Sequence, residues 1–299
     1  MCRAKMRPFR GPQTSTMKTV GKFELVWELA RTPMGVVHQA RDTASGTLVT
    51  LKTLPPGLAQ EADMQERFAR QAEIIKSLHH PNIVSFLESG SENGEPYIVL
   101  EYLDGQFLDR MIERNQPISL AEKLGYLVSV AAALECVHEK EYIHADLKPA
   151  AIFVQKDGTV KLTGFDLARV AGATKRQRWF RMIGSLGYIS PERVRGVRAD
   201  VRADIWALGG TAYELLACQK PFGGQNLAAM MMSILTEAPL ALVEAAPGTP
   251  PEVAAVVERM LRKNADERFQ TAKEAKLALE PLWENARKGS GPVQNAASA

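Results

Sequence analysis

The side chains of this sequence that are suited to chemistry lie in a few short stretches. One loop holds an imidazole, a carboxylate and an ammonium group at alternate positions, and another lysine and aspartate lie elsewhere: His144, Asp146, Lys148, Lys52 and Asp166. Such groups move protons and neutralise the negative charge that develops during group transfer. The three cysteines are widely spaced, so the sequence predicts neither a disulfide framework nor a CxxC metal site.

The secondary-structure elements that must position these groups are predicted to be mainly strands before Leu103 and mainly helices after it. Before it, β-prone runs at 23–30, 36–40, 47–54, 83–88 and 97–102 enclose one helix at 61–78, with a turn predicted over Ser89–Pro96. After it, helices are predicted at 119–137, 201–217, 225–236, 252–261 and 271–283, two of them opened by capping boxes, Ser119 with Glu122 and Thr271 with Glu274. The reactive loop lies in a loop-and-strand section at 142–167. This order predicts an α+β fold with two lobes.

Composition restricts the class of protein. Charged residues make up 24% and hydrophobic residues 45% of the 299 residues, which are ordinary values for a globular domain. No run approaches the ~18 apolar residues of a membrane-spanning helix. The net charge of +3 is too small to indicate a nucleic-acid-binding protein. We expect a cytoplasmic protein with reduced cysteines.

Both ends of the chain are predicted to be flexible. Residues 1–20 form a basic leader without an acidic residue, in which Met17 offers an alternative start; its basic residues are Arg3, Lys5, Arg7, Arg10 and Lys18. Residues 284–299 are rich in Gly, Ser, Ala and Asn and are predicted to be a flexible tail.

The stretch Tyr142–Pro149 resembles the catalytic loop of protein kinases, and further motifs follow in the order of that family. These are Val49–Lys52 (the V-A-I-K strand), Leu100–Leu103 (the hinge), Ser190–Glu192 (the A-P-E element) and Asp204–Gly209 (the start of the central helix of the C-lobe). The resemblance covers about residues 20–283 and implies a bilobal, bacterial-type Ser/Thr kinase domain at 21–283. Its N-lobe (21–102) would be a five-stranded antiparallel sheet with one helix, and its C-lobe (103–283) mainly helical.

The resemblance also implies roles for individual residues. Asp146 occupies the position of the catalytic base and Lys148 that of its Ser/Thr-class partner. Lys52 would meet the phosphates of ATP. Other positions would surround the nucleotide: Gly35, Val37, Thr50, Glu101, Leu103 and Phe153. Glu192, Asp204 and Arg268 would be structural anchors.

Several reactive positions depart from the family pattern. Ala30 and Thr32 replace two glycines of the phosphate-covering loop, Gln71 replaces the glutamate that pairs with Lys52, and Ala145 replaces the arginine beside Asp146. Both metal-binding positions are also lost: Ala151 stands for the asparagine and Gly164 for the D-F-G aspartate, so binding of Mg²⁺ is doubtful. Asp166, two residues later, either reaches Mg²⁺ after a rearrangement of its loop or is a solvated or capping residue.

The adenine pocket carries larger residues than the family pattern. Thr50 replaces a small alanine, and Phe153 replaces a leucine. Either the base binds in a shifted position, or the pocket is partly filled by protein, unless Phe153 is an ordinary core residue.

The pattern of retained anchors and lost reactive groups favours a pseudokinase that acts through a protein partner, with weak ATP binding. The partner would contact the basic activation segment through Arg176, Arg178, Trp179 and Arg181, unless that segment is simply a solvated loop. The helix around Met230–Met232 offers a second apolar surface. The alternative is an active Ser/Thr kinase with Asp146 as base and altered metal ligation. A small-molecule phosphotransferase that shares only the fold is a third hypothesis.

Overall fold

The structure is a computed structural model and describes residues 18–32, 34–170 and 186–289. The strands are β1 (Thr19–Val20), β2 (Phe23–Thr32), β3 (Gly35–Asp42), β4 (Leu48–Thr53), β5 (Phe86–Glu92), β6 (Glu95–Glu101), β7 (Gly105–Phe107), β8 (Tyr142–Ile143), β9 (Ile152–Gln155), β10 (Val160–Leu162) and β11 (Arg169–Val170). The α-helices are α1 (Pro56–Ala59), α2 (Ala62–Ser77), α3 (Leu108–Glu113), α4 (Leu120–Glu139), α5 (Pro191–Val194), α6 (Arg202–Ala217), α7 (Leu227–Thr236), α8 (Leu242–Ala245), α9 (Pro251–Met260) and α10 (Ala272–Gly289). Within the described ranges, no helix is long and apolar enough to cross a membrane.

The N-lobe is built on an antiparallel sheet with the strand order β1-β2-β3-β4-β6-β5. Successive side chains of a strand point to opposite faces of its sheet. Val49 and Leu51 of β4 therefore pack on one face, together with Phe23. Lys52 points to the other face, where its ammonium group lies 5.8 Å from the centre of the Phe68 ring of α2. This alternation places Lys52 between the sheet and the helix.

The sheet has six strands instead of the predicted five. The additional strand is β1, which pairs with the beginning of β2. The last residues of the predicted leader at 1–20 are therefore part of the sheet, and residues 1–17 lie outside the described part of the chain.

The turn between β5 and β6 is shorter than the predicted Ser89–Pro96. The strands leave only Asn93 and Gly94 between them, with φ of 52° and 80°. An Asn-Gly pair suits a type I′ turn because both central residues of that turn need positive φ. The polar residues that suggested a longer turn, such as Ser89 and Ser91, lie exposed on an edge strand.

The C-lobe is mainly helical, as predicted. The capping box of Ser119 and Glu122 is complete and opens α4. At α10, Glu274 N–H donates to Thr271 Oγ, but the Glu274 carboxylate accepts from Gln270 N–H, one residue before the predicted partner. This helix continues to Gly289, so the predicted tail at 284–299 is wrong for its first residues, because Ala286 packs against the core. Residues 290–299 lie outside the described part of the chain.

Two small sheets bring the reactive loops together. Strand β9 pairs with β10, and β8 pairs with β11, both antiparallel. The loop between β8 and β9 contains Asp146, and the loop between β10 and β11 contains Asp166. Because both pairs of flanking strands are hydrogen-bonded, the two loops lie side by side at the face of the C-lobe that meets β4 and α2.

The residue that ends α6 provides a test of backbone strain. Cys218 is exposed and adopts φ of 54°, where only glycine avoids a steric penalty. We expect Cys218→Gly to raise the free energy of unfolding by about 0.5–1 kcal/mol, since relief of strain exceeds the added flexibility of the unfolded chain. Urea denaturation measures this effect. Cys218→Ser, which keeps the strain, is the control, and equal stabilities of the two variants would contradict the interpretation.

Candidate functional site

Lys52, Gln71 and Asp166 form a compact hydrogen-bonded network between the lobes. Lys52 is 5% exposed, and its Nζ lies 2.5 Å from Asp166 Oδ1 and 2.9 Å from Gln71 Oε1. The Gln71 amide donates to the same Asp166 oxygen at 2.6 Å. The expected contact between Lys52 and residue 71 is therefore present, although residue 71 carries no charge. Glu73, two residues farther along α2, is exposed, as its helical position predicts.

The carboxylate in this network comes from a position that the sequence analysis did not assign to it. Gly164 adopts φ of 78°, and the following turn, Phe165–Leu167, directs the Asp166 side chain toward α2. Phe165 is buried and packs edge to face on His144, with ring centres 4.8 Å apart. Asp166 is thus the ion-pair partner of Lys52, and its side chain is partly buried. Asp166 therefore supplies Lys52 with a carboxylate where position 71 offers none.

The charge state of Asp166 follows from its surroundings. Burial would raise the pKa of this carboxyl, but the Lys52 ammonium and the hydrogen bonds from Lys52 and Gln71 outweigh burial and hold the pKa below its ordinary value. A lowered pKa means that the ion pair is complete at neutral pH. Its stabilisation is lost only as the pH falls below about 4, where an unfolded aspartate takes up its proton.

The residues around this network do not fit a Mg²⁺ ion. Mg²⁺ requires oxygen ligands in near-octahedral geometry, and neither Ala151 nor Gly164 has a side-chain oxygen. Ala151 is buried, and its Cβ lies 3.2 Å from the point that a Cβ on Gly164 would occupy. Oδ1 of Asp166 already bonds Lys52 and Gln71. Among the described residues, no group of three or more His, Cys, Asp or Glu side chains is suited to a metal ion.

Strands β2 and β3 pair as a hairpin where the phosphate-covering loop was predicted, and groups of the chain itself close it. Thr32 Oγ accepts from Met34 N–H and donates to Gly35 O, both at 3.2 Å. Gly35 has φ of 142°, and a Cβ there would lie 2.4 Å from Thr53 O on β4. Strand pairing therefore already requires glycine at position 35.

The catalytic loop keeps a carboxylate and an ammonium group in contact. Asp146 Oδ2 lies 2.6 Å from Lys148 Nζ. Asp146 Oδ1 is buried and accepts no hydrogen bond within the described part of the chain. Ala145 before it has φ of 65°, a strained conformation for alanine. Its N–H donates to Asp204 Oδ1 at 2.9 Å, and its carbonyl accepts from Arg193 at 2.6 Å.

Arg193 is a residue that the sequence analysis missed. Its guanidinium is buried beneath the catalytic loop, beside the position where Ala145 replaces the family arginine. Burial, followed by the neighbouring Arg169 guanidinium, lowers the pKa of Arg193 to about 10. The signal that could have found it is its place immediately after Ser190–Glu192, at the start of α5.

The predicted adenine-pocket residues lie on neighbouring strands. Val37 pairs with Lys52, and Thr50 pairs with Leu100. Phe153 is buried, with its ring 4.9 Å from and nearly perpendicular to that of Phe107. At the hinge, the Glu101 carboxylate accepts from Lys161 at 2.7 Å and from Ser85 N–H at 2.8 Å. Leu103 N–H makes no hydrogen bond within the described part of the chain.

Two of the three predicted anchors, Glu192 and Arg268, form an ion pair. Arg268 donates to both carboxylate oxygens of Glu192, at 3.1 and 2.9 Å. Asp204 accepts from the backbone N–H groups of His144 and Ala145. The residues assigned to a partner surface (Arg176, Arg178, Trp179 and Arg181) lie outside the described residues.

Comparison with known proteins agrees with the resemblance to protein kinases. Residues 24–279 match the family model described as a protein kinase domain. A probable serine/threonine-protein kinase of Streptomyces coelicolor is 33% identical over 286 residues, which cover 93% of this chain and 42% of that protein. PknB of Mycolicibacterium smegmatis, a serine/threonine-protein kinase, is 34% identical over 264 residues, 86% of this chain and 42% of that protein. PrkC of Bacillus subtilis, also a serine/threonine-protein kinase, is 29% identical over 267 residues, 89% of this chain and 41% of that protein. The chain thus spans about two fifths of the length of these relatives.

Proposed function

This chain belongs to the protein kinase domain family, and from that premise we propose that it is a serine/threonine kinase-like pseudokinase. It acts by binding a protein partner and binds ATP weakly and without a metal ion. One observation carries the proposal: the lysine expected to meet the phosphates is held by Asp166 and Gln71, while positions 151 and 164 offer no oxygen to a metal.

The energetic argument concerns the charge that develops during phosphoryl transfer. Metal ions supply several kcal/mol of charge stabilisation to such reactions. Each 1.36 kcal/mol lost from transition-state stabilisation slows a reaction about tenfold. A cleft without metal ligands therefore loses several orders of magnitude in rate even if Asp146 is correctly placed.

Partner binding is supported by surfaces outside the cleft. Helix α7 exposes Leu227 and Met232, and Met232 is 55% exposed. Methionine side chains adapt to varied apolar partners. The basic segment with Arg176, Arg178, Trp179 and Arg181 is the second part of the proposed surface. We place this interaction in the cytoplasm, in keeping with the free cysteines Cys136 and Cys218.

The alternative, an active Ser/Thr kinase, is favoured by the catalytic loop. Asp146 keeps its contact with Lys148, and its Oδ1 accepts no hydrogen bond in the described structure, so it can accept a proton from a substrate hydroxyl. This hypothesis requires Asp166 to leave Lys52 and ligate Mg²⁺.

The test combines phosphate transfer with nucleotide binding. We expect no transfer from labelled ATP to the chain itself or to a generic protein substrate above the level of Asp146→Asn. We also expect a small thermal shift with ATP that is equal in Mg²⁺ and in EDTA. A saturating ligand at 100 times its Kd stabilises by about 2.7 kcal/mol, so metal-dependent binding would be plainly visible. Transfer abolished by Asp146→Asn, or Mg²⁺-dependent binding lost in Asp166→Ala, establishes the alternative instead.

A further inference from the structure

The outer edge of strand β2 is open along most of its length. Within the described residues, β1 pairs only with Phe23 and Glu24 of β2. The hydrogen bond from Leu25 N–H to Lys18 O, at 2.9 Å, adds one more step to this pairing. The opposite edge of β2 is paired with β3 over its whole length. From Val26 onward, β2 is therefore an edge strand, and the outward backbone groups of such a strand are a template for a further strand.

This open edge also carries large apolar side chains that lie in solvent. Trp27 is 60% exposed and Val26 is 47% exposed. An exposed apolar edge strand pairs with other strands unless something covers it. A strand that lies alongside β2 would remove part of both side chains from water, and the burial of that apolar surface would stabilise the pairing.

The shape of the edge favours a short strand of the same chain over a second copy of the protein. Strand β2 has bulges between Leu25 and Trp27 and between Glu28 and Ala30. Bulges bend and twist a strand, which prevents two long edges from joining flat against each other. A segment that β1 already tethers to this edge needs only a few residues, and its effective concentration is on the order of millimolar.

The segment immediately before β1 has the residue types for this role. Lys18 O faces β2, so in a continued strand the backbone groups of Thr16 and Thr14, at alternate positions, face the same edge. Threonine is β-branched and favours strands. Pro12 has no N–H and would end the pairing, which limits the added strand to residues 13–17.

We propose that residues 13–17 extend β1 and cover the open edge of β2 as a strand of the same chain. In this arrangement the N–H groups of Thr16 and Thr14 donate to β2, and those of Met17 and Ser15 face solvent. The basic leader thus closes the N-lobe sheet against other strands. Because β2 enters the phosphate-covering loop at Thr32, the added strand also stiffens the first arm of that loop.

Hydrogen exchange of the full chain, followed by mass spectrometry, tests the proposal. We expect the amides of residues 13–17 to exchange about tenfold more slowly than those of an unstructured peptide of the same sequence. Thr16→Pro removes an N–H that faces β2 and should abolish this protection. Ser15→Pro is the matched control, because its N–H faces solvent, where an edge strand tolerates proline. This control should keep most of the protection.

Three results overturn the proposal. The first is exchange of residues 13–17 at the rate of the unstructured peptide, and the second is an equal loss of protection in Thr16→Pro and Ser15→Pro. The third is protection that increases with chain concentration and accompanies a dimer mass in light scattering, which assigns the edge to a second copy. Circular dichroism verifies that the variants keep the fold. Thr14→Pro, whose N–H also faces β2, is a second variant with the same expected loss.

Discussion

Asp204→Ala is expected to lower the free energy of unfolding by about 3–5 kcal/mol, because it removes a buried charge on which three donors converge. Asp204 is 1% exposed. Its carboxylate accepts from His144 N–H at 2.8 Å and from Ala145 N–H at 2.9 Å, and its Oδ2 lies 3.0 Å from His138 Nε2. Alanine leaves these groups buried without an acceptor. Urea denaturation and thermal unfolding measure the loss, which corresponds to a decrease in Tm of roughly 10 °C.

The pH dependence of Asp204→Asn gives an independent check. Burial would raise the pKa of Asp204, but the hydrogen bond with His138 and the nearby donors hold it below its ordinary value. The stabilisation by this carboxylate is therefore complete above pH ~4 and is lost as the pH falls through the folded-state pKa. We expect the stability difference between wild type and Asp204→Asn to shrink as the pH falls below about 4, where the Asp204 carboxylate becomes protonated. Asp157→Ala, in an exposed turn, should change stability little; equal losses in both alanine variants would refute the role of Asp204.

Arg268→Ala is expected to lower the free energy of unfolding by a similar amount, about 3–5 kcal/mol, because it leaves the partly buried Glu192 carboxylate without its partner. Arg268 is 1% exposed and pairs with Glu192 through two nitrogens. The same guanidinium donates to the carbonyl groups of Arg262, Arg202 and Lys263. It holds the pKa of the Glu192 carboxyl below its usual range although burial opposes this. Chemical denaturation measures the loss, and Arg268→Lys should recover little of it, since an ammonium group cannot form the planar two-pronged pair.

Arg202→Ala is the matched control for Arg268. Arg202 likewise forms ion pairs, here with the two carboxylates of Asp200 and Asp266, but these partners are half exposed or more. Solvent screens such pairs, so we expect a loss of no more than about 1 kcal/mol. Comparable losses in Arg202→Ala and Arg268→Ala would show that burial does not decide the strength of these interactions.

Much of the fold was predictable from local pattern. The capping box of Ser119 and Glu122, the helical spacing of α2 and the alternation around Lys52 each depend on neighbouring residues. The predicted boundaries of strands and turns were wrong where strand pairing overrides local composition. The residues on either side of Asn93–Gly94 have turn-forming side chains but lie on hydrogen-bonded strands, and residues 19–20 join the sheet because β2 offers them a free edge. Similarly, α10 extends beyond Trp283 because Ala286 finds apolar neighbours in the core.

Some features of the candidate site were also predictable from the sequence, and others were decided only by the tertiary structure. Residue identity alone determines that positions 151 and 164 carry no oxygen, that position 71 carries no charge, and that Asp146 and Lys148 lie on one short loop. Only the tertiary structure decided that Asp166 replaces the missing glutamate of α2 and that Arg193 lies beneath Ala145. Asp166 is 114 residues from Lys52 and 95 from Gln71 along the chain. Whether such distant groups meet depends on the left-handed turn at Gly164 and on the position of α2 against the sheet. These are results of packing that no local spacing encodes.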